Sequence, residues 1–164
     1  MNSSKLQSVD IESLELATKN KLENLKFLQK MKSTKQLDAV FQKAHEAEFK
    51  KTDCLNCGNC CKTTSPIFRD TDIKKIAKHL RVKEAAFIAQ YLRIDEDRDY
   101  VLQSSPCAFL EADNTCSIYE YRPLACREYP HTNRKNMYQI LELTATNTMI
   151  CPAVARIVEQ LKIK

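Results

Sequence analysis

The sequence predicts a mainly α-helical chain with one small β-hairpin, an α+β fold whose irregular core gathers around cysteines. Three observations carry this reading. Apolar residues recur at spacings of three and four over most of the chain. One short stretch, residues 107–121, combines apolar residues with turn formers in the manner of a hairpin. Eight cysteines share 164 residues that contain a single glycine and no tryptophan.

The elements follow in chain order. The first ten residues are expected to fray. Ile11, Leu14, Leu25, Leu28 and Met31 then mark a helix of irregular period, broken near Lys32, Ser33 and Thr34. "TKQLDAVFQKAHEAEFKK" places Leu37, Val40, Phe41, Ala44 and Ala47 on one helical face, so the first fifty residues read as an amphipathic helical hairpin closing over the cysteine region. Past residue 61, Asp70 or Thr71 can cap a helix that buries Ile73, Ile76, Ala77 and Leu80. "KEAAFIAQYL" continues with Ala85, Ile88 and Leu92, and "DEDRDYVLQ" is an acidic loop entering an extended run. "CAFLEADNTCSIYEY" is the predicted hairpin, with Asp113 and Asn114 at its turn. "RPLACREYPH" is a tight turn or short helix, Pro123 suiting its first turn. "MYQILELTATN" reads as a strand. In the C-terminal helix Pro152 takes the first position and Val154, Ile157, Val158 and Leu161 form the stripe. The expected organisation is a helical extension over 1–50 and a cysteine-cluster domain over 51–164, together one compact unit.

Composition narrows the function classes. No apolar run reaches the roughly 20 residues that cross a bilayer, and the charged N-terminus lacks the apolar segment of a signal peptide. A cytoplasmic protein without a membrane partner is the expectation. One glycine excludes the Gly-rich phosphate loops of Rossmann and P-loop sites. Lys and Arg number 26 against 21 Asp and Glu, a formal charge of +5. Two four-thiolate sites of local charge −2 each would bring +5 to about +1. With no basic patch beside the cysteines, the excess argues against a nucleic-acid partner; a protein partner is left unspecified.

The thiols carry the chemistry. Cys54, Cys57, Cys60 and Cys61 fall within eight residues, and Cys107, Cys116, Cys126 and Cys151 follow. In a reducing compartment such clustering points to metal rather than to a disulfide framework, so all eight are candidate ligands and the core is expected to be metal-centred. C-x2-C lets two thiolates reach one ion from a tight turn, and Gly58 supplies the positive φ such a turn needs. Zinc suits sites of four thiolates. The run Cys54, Cys57, Cys60 has the spacing that holds three corners of a [4Fe–4S] cluster, and Cys151–Pro152 resembles its final ligand. Adjacent Cys60 and Cys61 are expected to project in different directions, either serving two neighbouring sites or leaving Cys61 to support the ligands of one. Zinc and an iron–sulfur cluster both stay open.

Weaker candidates surround these. His131, five residues after Cys126, can offer a nitrogen. His45 opens "HEAEF", which lacks the second histidine of a zinc-protease motif, and His79 reads as an exposed residue without a partner. Arg122 and Arg127 flank Cys126 as counter-charges to thiolates, a grip for an anionic ligand or ordinary ion-pair partners, with Tyr119, Tyr121 and Tyr129 as core or hydrogen-bond anchors. No catalytic residue is assigned.

"CLNCGNCCK" together with "CAFLEADNTCSIYEYRPLACREYPH" resembles the YkgJ-type cysteine-cluster family, proposed to chelate zinc or iron. Its knot corresponds to Cys54–Cys61, and its further elements to Cys107–Leu110, Cys116–Pro123 and Cys126–Pro130, over roughly 54–152. The resemblance implies metal chelation by these cysteines in a small cytoplasmic bacterial protein, and it implies no settled reaction. A related region occurs in flagellin lysine methylases, but no methyl-donor site is identifiable here. A metal-binding module leads; an iron–sulfur redox or group-transfer (methylase-like) enzyme is the alternative.

Overall fold

A computed structural model describes residues 8–163. The chain is mainly α with one two-stranded antiparallel sheet. In order, the helices are α1 (Ser8–Lys19), α2 (Lys21–Met31), α3 (Leu37–Phe49), α4 (Cys54–Cys57), α5 (Asn59–Thr63), α6 (Asp70–Leu80), α7 (Glu84–Tyr91), α8 (Leu124–Glu128), α9 (Leu141–Asn147) and α10 (Pro152–Lys162). The strands are β1 (Leu92–Ile94) and β2 (Tyr100–Leu102), and 3-10 turns occupy Tyr119–Tyr121 and Met137–Gln139. The expected fraying of residues 1–7 lies outside the described residues, and α1 is already helical at Ser8. No helix among the described residues is long and apolar enough to cross a membrane.

The described residues form two compact units, one of residues 58–129 and one of residues 8–57 with 130–163.

In the first unit α6 packs on α7 and on the Tyr119–Tyr121 turn. Its core joins Ile73, Ile76, Ala77, Phe87, Leu92, Leu102, Phe109 and Ile118. Asp70 and Thr71 do not cap α6. Its N-cap is Arg69, and the carboxylate of Asp72, three residues on, accepts the Arg69 amide at 3.2 Å. Phe87, fully buried, replaces the expected Ala85 as the inward anchor of α7; Ala85 is exposed. An aromatic ring reaches the tilted Phe68 and the stacked Phe109, which a methyl group cannot do.

The hairpin falls elsewhere than expected. β1 and β2 pair in the register Leu92↔Leu102 and Ile94↔Tyr100, across a turn in which Asp95 accepts the amides of Asp97 and Asp99. Residues 107–121 are not strands: a single bridge, Leu110↔Cys116, closes the turn at Asp113 and Asn114. Asn114 takes the left-handed conformation, φ 66°.

The second unit is helical throughout. α1 packs on α10, α2 on α9, and α10 on both α3 and α9. Leu28, Leu37, Phe41, Ala44, Met137, Leu141, Ile157, Val158 and Leu161 form its core. α10 begins at Pro152 and buries Val154, Ile157, Val158 and Leu161 as expected. Ile11 is exposed. On α3 Ala47 is exposed and its neighbour Glu48 is fully buried. The Glu48 carboxylate is matched by Arg156 Nε at 2.6 Å and Lys51 Nζ at 3.2 Å, and Arg156 also reaches Asp10 at 2.7 Å.

The predicted strand over "MYQILELTATN" is a 3-10 turn followed by α9. A distant residue starts it: the Asp38 carboxylate accepts the amides of Asn136 at 2.7 Å and Met137 at 2.8 Å. These amides hold Asp38 well below the usual carboxylate range. Leu141, Thr144 and Ala145 then turn one face inward at helical spacing, which outweighs the β propensity of the threonines.

Candidate metal centre

Gly58 sets the entry to the cysteine knot. Its φ is 59°, in the left-handed region where a side chain is strained, and the chain turns there from α4 to α5. A Cβ at this position would stand 2.8 Å from Cγ of the buried Asn114. The two turns are therefore fitted to each other through the absence of a side chain.

In the first unit α5 presents Cys60 and Cys61 with their sulfurs 4.0 Å apart, so the adjacent side chains do not diverge far. The Cys107 amide donates to the Cys61 carbonyl at 2.8 Å, which joins the knot to the next segment. Leu110 returns a hydrogen bond to the Cys107 carbonyl and bridges to Cys116, so one short loop carries both thiols. Asp113 stiffens that loop by accepting the Thr115 amide at 3.0 Å and hydroxyl at 2.6 Å. Cys107 and Cys116 pack against the apolar core. Cys126 rides on α8, whose first amide, Leu124, donates to Asp72 at 3.2 Å. One aspartate thus starts α6 and locates α8.

The thiols differ in how readily they ionise. A hydrogen bond with Cys60 draws Cys61 down to about 7, against burial and with help from Lys62. Burial pushes Cys107 up, and the charges of Cys61 and Cys116 add to it against the amides of Phe109 and Leu110. Burial likewise raises Cys116, with Cys61 adding and Arg122 opposing. Burial and then the charges of Cys61, Cys107 and Cys116 push Cys126 to about 12, again against Arg122. The charge of Cys61 thus bears on the ionisation of Cys107, Cys116 and Cys126.

The second unit holds the other three. Asp53 starts the single turn of α4 by accepting the Leu55 amide at 2.9 Å and the Asn56 side chain at 3.0 Å, placing Cys54 and Cys57 one turn apart. Cys151 precedes α10, its amide bonded to the Asn147 carbonyl at 2.8 Å. Burial pushes Cys151 to about 11; the amides of Val154 and Ala153 oppose this, and the charges of Cys57 and Cys54 add to it.

The histidines occupy other settings. His45 hydrogen-bonds Thr132 at 2.8 Å and stacks on Phe49. His79 is exposed as expected, yet its ring stacks on Tyr121 at 4.0 Å. His131 stands at a left-handed turn, φ 66°. Tyr119 and Tyr121 are exposed rather than core residues, and Arg122 lies over the Tyr119 ring at 3.6 Å while donating to its carbonyl. Sequence reasoning places Asn114 at a turn but not against Gly58, and it does not single out Asp72, for which an acid three residues into a helix is the available signal.

None of the eight cysteines forms a disulfide. Among the described residues no three His, Cys, Asp or Glu side chains stand as a ready ligand set for one metal ion. Metal binding therefore requires the thiols to close in as their protons leave. The donor chemistry fits that event. Protonated, neutral thiols pack together, but their charges repel once formed, and a soft cation removes the repulsion. The 4.0 Å sulfur separation is already near the roughly 3.8 Å edge of a tetrahedron with metal–sulfur bonds of about 2.3 Å.

Clustered, unbridged thiols on a small helical scaffold define the class, a metal-chelating cysteine protein. The family follows from the whole pattern: the model of the CxxCxxCC family, described as "Putative zinc- or iron-chelating domain", matches residues 53–151, and the chain belongs to that family. No curated protein and no solved structure matches it.

Proposed function

We propose that this chain is a cytoplasmic metal-binding module in which the thiolates of its eight cysteines hold zinc or an iron–sulfur cluster, with no nucleic-acid or membrane partner. The observation that supports this reading is the convergence of cysteine-bearing segments from distant parts of the sequence: the Cys107 amide bonds the Cys61 carbonyl, Leu110 bridges to Cys116, and Asp72 accepts the first amide of the helix that carries Cys126. A bound metal would supply cross-links between segments that the backbone joins only through loops, so its binding free energy becomes folding free energy. Asp72 and Asp53 hold the segments in place, and Arg122 offsets thiolate charge.

The test is metal content and fold together. Cys57→Ser protein purified without oxygen should fold poorly and lose metal. A well-folded, fully metallated Cys57→Ser protein would refute the proposal. An iron–sulfur redox or group-transfer enzyme is the second reading, supported by the ferredoxin-like spacing and by Cys151–Pro152. A visible spectrum unchanged by reduction and reoxidation removes its redox form.

A further inference from the structure

Glu48, on α3, is the only carboxylate among the described residues with no exposure at all, and the metal-binding reading gives it no role. A buried charge persists only where partners surround it, and here they come from both ends of the chain. Its Oε1 accepts Arg156 Nε of α10 at 2.6 Å and the Thr52 hydroxyl at 3.2 Å. Its Oε2 faces Lys51 Nζ at 3.2 Å and accepts Gln160 Nε2 at 3.4 Å. The Thr52 hydroxyl is shared with the Glu48 carbonyl at 3.0 Å, and Arg156 is held in turn by Asp10 at 2.7 Å. One oxygen atom therefore fastens the chain leaving α3 to the side of α10, all within the second unit.

Both arms of this clamp lead to cysteines. Beyond Thr52, the Asp53 carboxylate accepts the Leu55 amide at 2.9 Å and its carbonyl accepts the Asn56 amide at 3.2 Å, so the chain is tied from Glu48 into the turn of Cys54 and Cys57. On the other arm Arg156 follows Ala155, whose amide donates to the Cys151 carbonyl at 3.0 Å, while the Cys151 amide donates to Asn147 at 2.8 Å. None of these bonds uses a sulfur atom, so the clamp does not depend on the ionisation or ligation of a thiol. We propose that Glu48 is a positioning residue for metal uptake: through Thr52 it fixes the turn that carries Cys54 and Cys57, and through Arg156 the helix start that carries Cys151. These segments are then anchored on one carboxylate before metal arrives. The proposal rests on the metal-binding reading above and implies no division of the eight thiols between ions. Ligands on pre-ordered segments lose less freedom when they bind, and losing a partner that supports a metal site weakens affinity by about 10- to 100-fold.

The experiment separates positioning from stability through Thr52→Val, which exchanges the hydroxyl for a methyl group and leaves the Glu48–Arg156 pair in place. Full-length protein is stripped of metal without oxygen, its urea midpoint is measured, and its zinc affinity is read by competition with a chromogenic chelator. Thr52→Val should bind at least one zinc about tenfold more weakly while its urea midpoint stays close to wild type, and Thr52→Ser should restore the affinity. In metal-free Thr52→Val the amides of residues 54–57 should exchange with solvent faster, and those of α6 at the wild-type rate. The Glu48→Met/Arg156→Met double variant regains stability relative to Arg156→Met but offers Thr52 no carboxylate, so its zinc affinity should stay low. Wild-type affinity in Thr52→Val, a loss that Thr52→Ser does not restore, or affinity that returns with stability in the double variant overturns the positioning role and leaves metal binding standing. Wild-type protein that takes up no zinc is a separate result, seen without any variant, and it removes the zinc form of the metal-binding reading and this proposal with it.

Discussion

Replacing Gly58 with alanine tests how far the cysteine knot depends on one missing side chain. Two costs add. The backbone is left-handed at φ 59°, which costs an L-residue about 1–2 kcal/mol. The new Cβ would meet Asn114 at 2.8 Å (Cγ), 2.9 Å (Oδ1) and 3.2 Å (Cβ). Asn114 cannot retreat cheaply: it is buried, its own φ is 66°, and its amide is bonded to the Glu111 carbonyl at 3.0 Å. Forcing a methyl group into such a site costs about 1–3 kcal/mol. Gly58→Ala should therefore lower stability by about 2–5 kcal/mol, read as a shift in urea midpoint at constant slope. Adding Asn114→Gly should return the steric part and leave only the backbone cost of about 1–2 kcal/mol. An unchanged midpoint in Gly58→Ala, or no recovery in the double variant, would refute the reasoning.

Other predictions concern charge. Arg156→Met strands the fully buried Glu48 without its 2.6 Å partner and should cost about 3–5 kcal/mol, much of it regained in the Glu48→Met/Arg156→Met double variant; equal denaturation midpoints for wild type and Arg156→Met would contradict this. Burial holds His45 below its usual value against the charge of Glu46, so the unfolded chain takes this proton first. Its contribution is complete above about 6.5 and is lost as pH falls toward the lower folded value, and His45→Gln should flatten that part of a urea-midpoint profile; identical profiles would contradict it. Cys107, Cys116 and Cys126 are raised and Cys61 lies at about 7, so metal taken up by these four thiols at pH 7 should release roughly three and a half protons. Affinity then falls with falling pH; calorimetry in buffers of different ionisation enthalpy measures the count, and fewer than two protons contradicts the ligand set.

Much of the fold was legible because helix periodicity is a local property. The faces of α6 and α10 could be read from Ile73, Ile76 and Ala77 and from Val154, Ile157 and Leu161. The errors lie where a distant residue decides. Nothing within "MYQILELTATN" announces that Asp38, about a hundred residues earlier, caps it into a helix. Glu48 reads as a surface residue until Arg156 is brought to it from the far end of the chain. The hairpin was misplaced because Asp113 and Asn114 form a genuine turn with only one bridge behind it, while the pairing of 92–94 with 100–102 was hidden behind an acidic loop. For the site, spacing singled out the eight thiols, and Gly58 took the conformation expected of it. That the Cys61 and Cys107 segments join was not readable, since 45 residues separate them and the unit changes within the knot itself, between Cys57 and Gly58.

The central claim is that cysteine sulfur holds the metal. X-ray absorption at the metal edge, on full-length protein purified without oxygen and with its metal quantified, tests this directly. Stoichiometric zinc or iron in a shell dominated by sulfur is the expected result, at about 2.3 Å if the metal is zinc. A shell of nitrogen and oxygen, or protein that folds with no stoichiometric metal, would contradict it.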